Sequence, residues 1–166
     1  FSIFNRLNTG TEPLSPQELR MSLFPGEFIN YINENSNKES LQKLVKSISS
    51  TAYSRMQDIE LITRYYSFVH YLDKYNGRLG RFFDNSVKDL NESWKTKEYL
   101  LKQDFEKLIE IIDLNHKIFG DNYFMKPKTD NRKQKKVINE ALFDLITYFL
   151  RDDELFNQVC KNVESK

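Results

Sequence analysis

Apolar side chains recur along this chain every three or four residues, and no stretch shows a convincing alternation with a period of two. That pattern restricts the fold, because a three-to-four spacing lines one face of a helix whereas strands need every second residue. The clearest case is Ile59, Ile62, Tyr66, Val69 and Leu72, a stripe that runs on to Tyr75. Asn76-Gly77 ends it, as a glycine just past a helix should. Leu41, Leu44, Val45 and Ile48 form an earlier stripe, and Leu79, Phe82, Phe83, Val87 and Leu90 a later one. From about Trp94 a long helix is predicted to carry Leu101, Phe105, Leu108, Ile112 and Phe119 on one face and to stop at Gly120. Ile138, Ala141, Leu142, Leu145, Ile146 and Phe149 define a seventh helix, and a short terminal one begins at Asp152. Five Gly and four Pro are too few for the turns of an all-β protein. The reading is an all-α chain, an irregular bundle of about seven or eight helices.

Helix starts are written as capping boxes. Ser15-Pro16-Gln17-Glu18 has a capping hydroxyl, a proline at the first helical position and a glutamate placed to reach back. That helix should end at Leu23, before Phe24-Pro25-Gly26, and a second from Glu27 to Glu34 should bury Phe28, Ile29 and Ile32. Ser36-Asn37-Lys38-Glu39 and Ser54-Arg55-Met56-Gln57 read as two more boxes, with a break at Ser49 to Thr51 between them.

At 166 residues the chain is one helical domain or subdomain, spanning 1–166 and long enough to bury a single core. It opens on Phe1 rather than methionine and reaches a charged, glycine-containing turn within ten residues, so it reads as a fragment whose N-terminal portion is missing. With 25 basic against 24 acidic residues there is no global attraction to nucleic acid or membrane. No apolar run reaches the roughly 20 residues that cross a bilayer, so no membrane partner is expected. The single cysteine, Cys160, excludes an internal disulfide, fits a cytoplasmic location and reads as a structural thiol.

Several chemistries are weakly represented. His70 and His116 lie far apart, without a zinc or nuclease spacing, and no metal ligands are assigned. The acidic pairs Asp58/Glu60, Asp104/Glu106 and Asp152/Asp153/Glu154 read as solvated or helix-start charges. Glu60 and Arg64 stand four apart and face each other along one helix. Lys126, Lys128, Arg132, Lys133, Lys135 and Lys136 place six positive charges within eleven positions, a candidate phosphate-contacting segment with Asp130 inside it. Asn8-Thr9-Gly10 is a polar turn that can aim backbone N–H groups at an anion, and Arg6 adds a bidentate donor; the Walker ending is absent.

The opening residues carry a resemblance. Phe4-Asn5-Arg6-Leu7-Asn8-Thr9-Gly10, a short spacer and Leu14-Ser15-Pro16-Gln17-Glu18-Leu19-Arg20 resemble the N-terminal family of GmrSD-type restriction endonucleases, long called domain of unknown function 262. Thr11 stands where many members have a second glycine. Arg55 to Tyr66, Arg81-Phe82-Phe83-Asp84-Asn85, Phe119-Gly120 and Asn139-Glu140-Ala141-Leu142-Phe143-Asp144 are similar to further landmarks of that family. The resemblance implies a helical half joined to an upstream α/β half that bears an Asp-Gly-Gln-Gln-Arg motif. It implies a nucleoside triphosphate with Mg2+ as cofactor of the full-length protein, and none for the fragment alone. Arg6, Asn8, Thr9 and Gly10 would be the retained part of that site, supported by Glu18, Arg20, Glu60 and Arg64. Implied partners are the upstream half, a His-Asn-His-type nuclease domain or subunit, and DNA, in a phage-defence role. Two other readings stand beside it: a non-catalytic helical module that binds DNA or protein through the basic segment, and a helical buttress for the upstream half.

Overall fold

The computed structural model describes residues 14–46, 56–125 and 138–165. These form seven α-helices: α1 Pro16–Leu23, α2 Glu27–Asn35, α3 Glu39–Lys46, α4 Gln57–Tyr71, α5 Leu79–Phe119, α6 Glu140–Leu150 and α7 Asp153–Glu164. No strand is present among the described residues; a single antiparallel bridge joins Met125 to Ile138. The all-α reading holds.

The first helix begins as its sequence dictates. The Ser15 hydroxyl accepts from the Glu18 N–H at 3.2 Å, and the Glu18 carboxylate accepts from the Ser15 N–H at 2.6 Å. At the other end, Asn91 in α5 locks the turn between α1 and α2. Its Nδ2 donates to the Phe24 carbonyl at 2.9 Å, and its Oδ1 accepts from the Ile29 N–H at 3.3 Å. Gly26 lies directly beneath that amide, where a Cβ would collide with it. The glycine is there for space.

Three helix boundaries differ from expectation, each for a local reason. α3 starts at Glu39, not after a cap at Ser36, because the Ser36 hydroxyl is donated back to the Asn33 carbonyl at 2.9 Å. The cap residue of α4 is Met56, in left-handed conformation at φ 58° and without a side-chain cap bond; Ser54 and Ser49 to Thr51 lie outside the described residues, as does Ile48. α4 ends at Tyr71, and Leu72–Lys74 tighten into a 3-10 turn before Gly77 turns the chain at φ +88°.

The largest difference concerns α5. The stripe ending at Leu90 and the helix from Trp94 are one continuous helix of 41 residues. Nothing between them breaks a helix: Ser93 returns its hydroxyl to the Asp89 carbonyl at 2.7 Å, and Val87, Leu90, Trp94, Leu101, Phe105 and Leu108 stay buried throughout.

α4 is the centre of the bundle. Residues 61–67 are all buried, two turns of helix covered on every side rather than on one stripe. α5 packs along it, with α2, α3 and α6 on the remaining sides. The core is aromatic: Phe28 meets Tyr66 edge-on at 5.0 Å, Tyr31 meets Trp94 at 5.1 Å, and Phe124 meets Phe143 at 5.1 Å. α7 closes a smaller cluster in which the partly buried Cys160 packs near Ile111, Leu114 and Leu150. In α6, the expected face is corrected. Phe143, Thr147 and Leu150 point inward, whereas Leu145 and Phe149 are 55% and 54% exposed.

The Asn91 clamp gives a direct test. Gly26→Ala, which displaces the Asn91 amide, and Asn91→Ala, which removes it, should each lower stability by about 1–3 kcal/mol in urea unfolding. Two variants with wild-type midpoints would rule the clamp out.

Candidate functional site

Burying α4 on all sides puts polar groups where they must be satisfied internally. Thr63 and Ser67 solve this locally, donating to the Ile59 and Thr63 carbonyls at 2.8 and 2.7 Å. Arg64 has no such local solution. It is 4% exposed, and a desolvated guanidinium requires carboxylates. α6 supplies them: Arg64 Nε donates to Asp144 Oδ1 at 2.9 Å and Nη2 to Asp144 Oδ2 at 2.5 Å, a bidentate pair. Its Nη1 lies 3.0 Å from Glu140 and 3.9 Å from Glu60, one turn back on α4.

A second buried arginine lies beside it. Arg20 of α1 donates from Nε to Asp84 of α5 at 2.8 Å and from Nη1 to Gln17 at 2.5 Å. Gln17, itself buried, donates to the Thr63 hydroxyl at 3.3 Å. Both guanidinium carbons approach the same ring, with Arg20 at 5.5 Å and Arg64 at 5.2 Å from the Phe83 centroid. Four helices thus contribute to one network: α1 through Gln17 and Arg20, α4 through Glu60, Thr63 and Arg64, α5 through Phe83 and Asp84, and α6 through Glu140 and Asp144.

The charges do not balance. Four carboxylates face two guanidiniums. Burial pushes Glu60 above the ordinary glutamate range, and the neighbouring Glu140 charge adds to it against the pull of Arg64 and Arg20. Burial also raises Asp144, opposed by its bond to Arg64. For Arg64 burial alone would lower the pKa, but the Asp144 bond and the charges of Asp144, Glu140 and Glu60 outweigh it and hold it above its usual value. Such a site is closed to a triphosphate: its cations are taken and its surplus charge is negative.

Of the residues singled out from sequence, Arg20, Glu60 and Arg64 therefore converge, while Glu18 serves the α1 cap. Arg6, Asn8, Thr9 and Gly10 lie outside the described residues, as do Lys126, Lys128, Arg132, Lys133, Lys135 and Lys136. Sequence reasoning did not assign Gln17, Phe83, Asp84, Glu140 or Asp144 to the site. Spacing could not pair Asp84 and Asp144 with their arginines, which lie 64 and 80 residues away, whereas Gln17 stands only three residues from Arg20. His70 does meet a carboxylate, with Nε2 2.9 Å from Asp104 Oδ2 and the ring stacked on Tyr66. The nearby Tyr65 hydroxyl is the one buried side-chain polar atom without a partner among the described residues. His116 is 3.7 Å from Asp121 and packs on Tyr123. Among the described residues no three histidine, cysteine or carboxylate groups converge to hold a metal ion.

The raised Glu60 and Asp144 values fix the sign of a pH effect. Their favourable contribution is fully present below the unfolded-state values, at about pH 4, and is lost as pH rises through the raised folded-state values. Glu60→Gln should therefore raise the melting temperature at neutral pH, with the gain fading as pH is lowered toward about 4. Arg64→Met should do the opposite at neutral pH, costing about 3–5 kcal/mol by leaving three carboxylates together. Thermal melts of both variants against pH check this; a Glu60→Gln gain that does not vary with pH would contradict it.

No protein-family model matches the chain, and comparison with curated proteins and with solved structures found no match.

Proposed function

We propose that the chain is the helical portion of a nucleotide-dependent DNA-restriction or phage-defence protein. In this reading it completes a nucleoside-triphosphate site built mainly on a preceding α/β portion, and relays nucleotide state to a nuclease or DNA-binding module. One observation supports the reading above others. Four of the five stretches that resemble the GmrSD-type family send side chains to the same buried network. Arg20 comes from the first, Glu60 and Arg64 from the second, Phe83 and Asp84 from the third, and Glu140 and Asp144 from the last.

The roles follow from the chemistry. Arg6 and the Asn8-Thr9-Gly10 turn carry the phosphate contacts, since the guanidiniums of Arg20 and Arg64 are already neutralised. Arg20 and Arg64 are positioning residues. They fix α1, the helix that follows the turn, against α4 and α5, so that a change at the turn is transmitted to the bundle rather than absorbed by a loose helix. A bound triphosphate with Mg2+ would supply the reactive phosphoryl group; this chain's part is to bind and orient it.

A second reading has its own support. The chain leaves the described residues at Met125 and re-enters at Ile138, two residues joined by a bridge and flanked by the buried Tyr123 and Phe124. Six basic residues, Lys126 to Lys136, thus lie between two fixed ends. A helical module binding duplex DNA through them would lose affinity steeply with salt.

Nucleoside-triphosphate turnover by the full-length protein separates the two. Arg6→Ala should abolish it, and the 166-residue chain alone should hydrolyse nothing. Unchanged turnover in Arg6→Ala would remove the site assignment. Absence of turnover in the wild type, together with salt-sensitive DNA binding that is lost when the lysines are neutralised, would favour the second reading.

A further inference from the structure

The first turns of α5 face two ways. Phe83 and Asp84 turn toward the two buried arginines, whereas Arg81, Phe82 and Asn85 line a cleft of about 40 Å³ against the end of α4. The floor of the cleft is fixed. Phe82 is buried and packs on Phe68 and Tyr75, its ring centre 5.2 Å from each, and Tyr71 beside it is buried as well. Ser86, also buried, spends its hydroxyl on the Phe82 carbonyl at 2.9 Å. Lys74 and Asp89 close one side as an ion pair at 2.9 Å, with the ammonium 4.7 Å from the centre of the Tyr71 ring. The Lys74 charge is thereby spent on Asp89.

The groups left over define what the cleft takes. Asn76, Arg81 and Asn85 all line it, and among the described residues none of their side chains makes a hydrogen bond or ion pair. Arg81 and Asn85 stand one turn apart on α5, and Asn76 enters from the loop that follows α4. The uncompensated charge in the cleft is therefore one guanidinium, and its neighbours are amides with N–H groups to donate. Such a set fits an anion with several acceptor oxygens. A phosphate presents oxygens in more than one plane, so donors on the loop and on α5 can reach it together; a planar carboxylate would satisfy the Arg81 fork alone. A water needs about 10–15 Å³, so the cleft has room for one small polyatomic group and not for a whole nucleotide. We propose that this cleft binds a single phosphate group, held by Arg81, Asn76 and Asn85 and independent of the Asn8-Thr9-Gly10 turn.

The probe is inorganic phosphate, titrated into the 166-residue chain at constant ionic strength and followed by heteronuclear NMR of a nitrogen-labelled sample. The side-chain amide signals of Asn76 and Asn85 should shift and saturate together. Arg81→Gln should weaken binding about tenfold, because it removes the charged donor. Arg78→Gln removes a neighbouring guanidinium that does not line the cleft and should leave binding nearly unchanged. Both arginines are exposed, so the fold should survive either change. A short single-stranded oligonucleotide and soluble dihexanoyl phosphatidic acid, used in parallel titrations, identify the source of the phosphate. Tighter Arg81-dependent binding of one of them than of the free ion assigns the group to a nucleic-acid backbone or to a lipid headgroup; tightest binding of the free ion assigns it to phosphate itself. Equal losses in the two arginine variants would reduce the cleft to diffuse surface charge and overturn the proposal. So would the absence of an Arg81-dependent shift with all three probes.

Discussion

The burial of one guanidinium dictates much of this fold. Arg64 sits in the part of α4 that is covered on every side, and an uncompensated charge there would be prohibitive. Its compensation cannot come from α4 alone, since Glu60 reaches only to 3.9 Å. The bidentate partner comes from α6, 80 residues away in sequence, and sets where that helix lies and in what register. The same requirement at Arg20 draws α1 onto α5 through Asp84. Hydrophobic burial brings the helices together without direction; the two arginines choose which turn of each helix meets which.

This arrangement explains the placing of the aromatic residues around it. Phe83 gives both guanidiniums an apolar surface with a negative face, which suits a weakly hydrated cation better than an aliphatic side chain would. Below it, Tyr65 and Tyr66 fill the space between α4 and its neighbours, and the Tyr66 hydroxyl donates to the Leu101 carbonyl in the middle of α5. α5 supplies the long wall. It holds Asn91 on one turn, Asp84 nearer its start and the Phe105–Leu108 surface further on, so elements far apart in sequence are referred to one rigid rod.

How much of this was legible depends on the range of the interaction. Contacts within four residues could be read: the Ser15–Glu18 box, the glycine at Gly77 in left-handed conformation, the stop at Gly120, and most of one stripe, in which Leu101, Phe105, Leu108 and Ile112 are almost fully buried while Phe119, expected on the same face, is 53% exposed. The pairing of Glu60 with Arg64 belongs here too. Misreadings arose where a local signal had a competing use. Ser36 spends its hydroxyl on the preceding helix, and the pause between Leu90 and Trp94 is not a break because Asn91 and Ser93 are both bonded in place. In α6 the apolar residues outnumber the positions facing the core, so periodicity could not tell the inward row from the outward one. The site was only half legible for a different reason. Asp84 and Asp144 look like ordinary helix-surface acids until tertiary structure brings arginines to them.

The bridge between Met125 and Ile138 also makes the molecule modular. Met125 and Ile138 are adjacent, and the helices on either side are held by Tyr123, Phe124, Ile138 and Phe143, so the two ends of the connection are fixed by the described residues alone. Lengthening an excursion whose ends are already fixed costs only about 0.6 kcal/mol for each doubling. Between those two ends the chain length could be changed, or a peptide tag grafted, while the arginine network keeps its geometry.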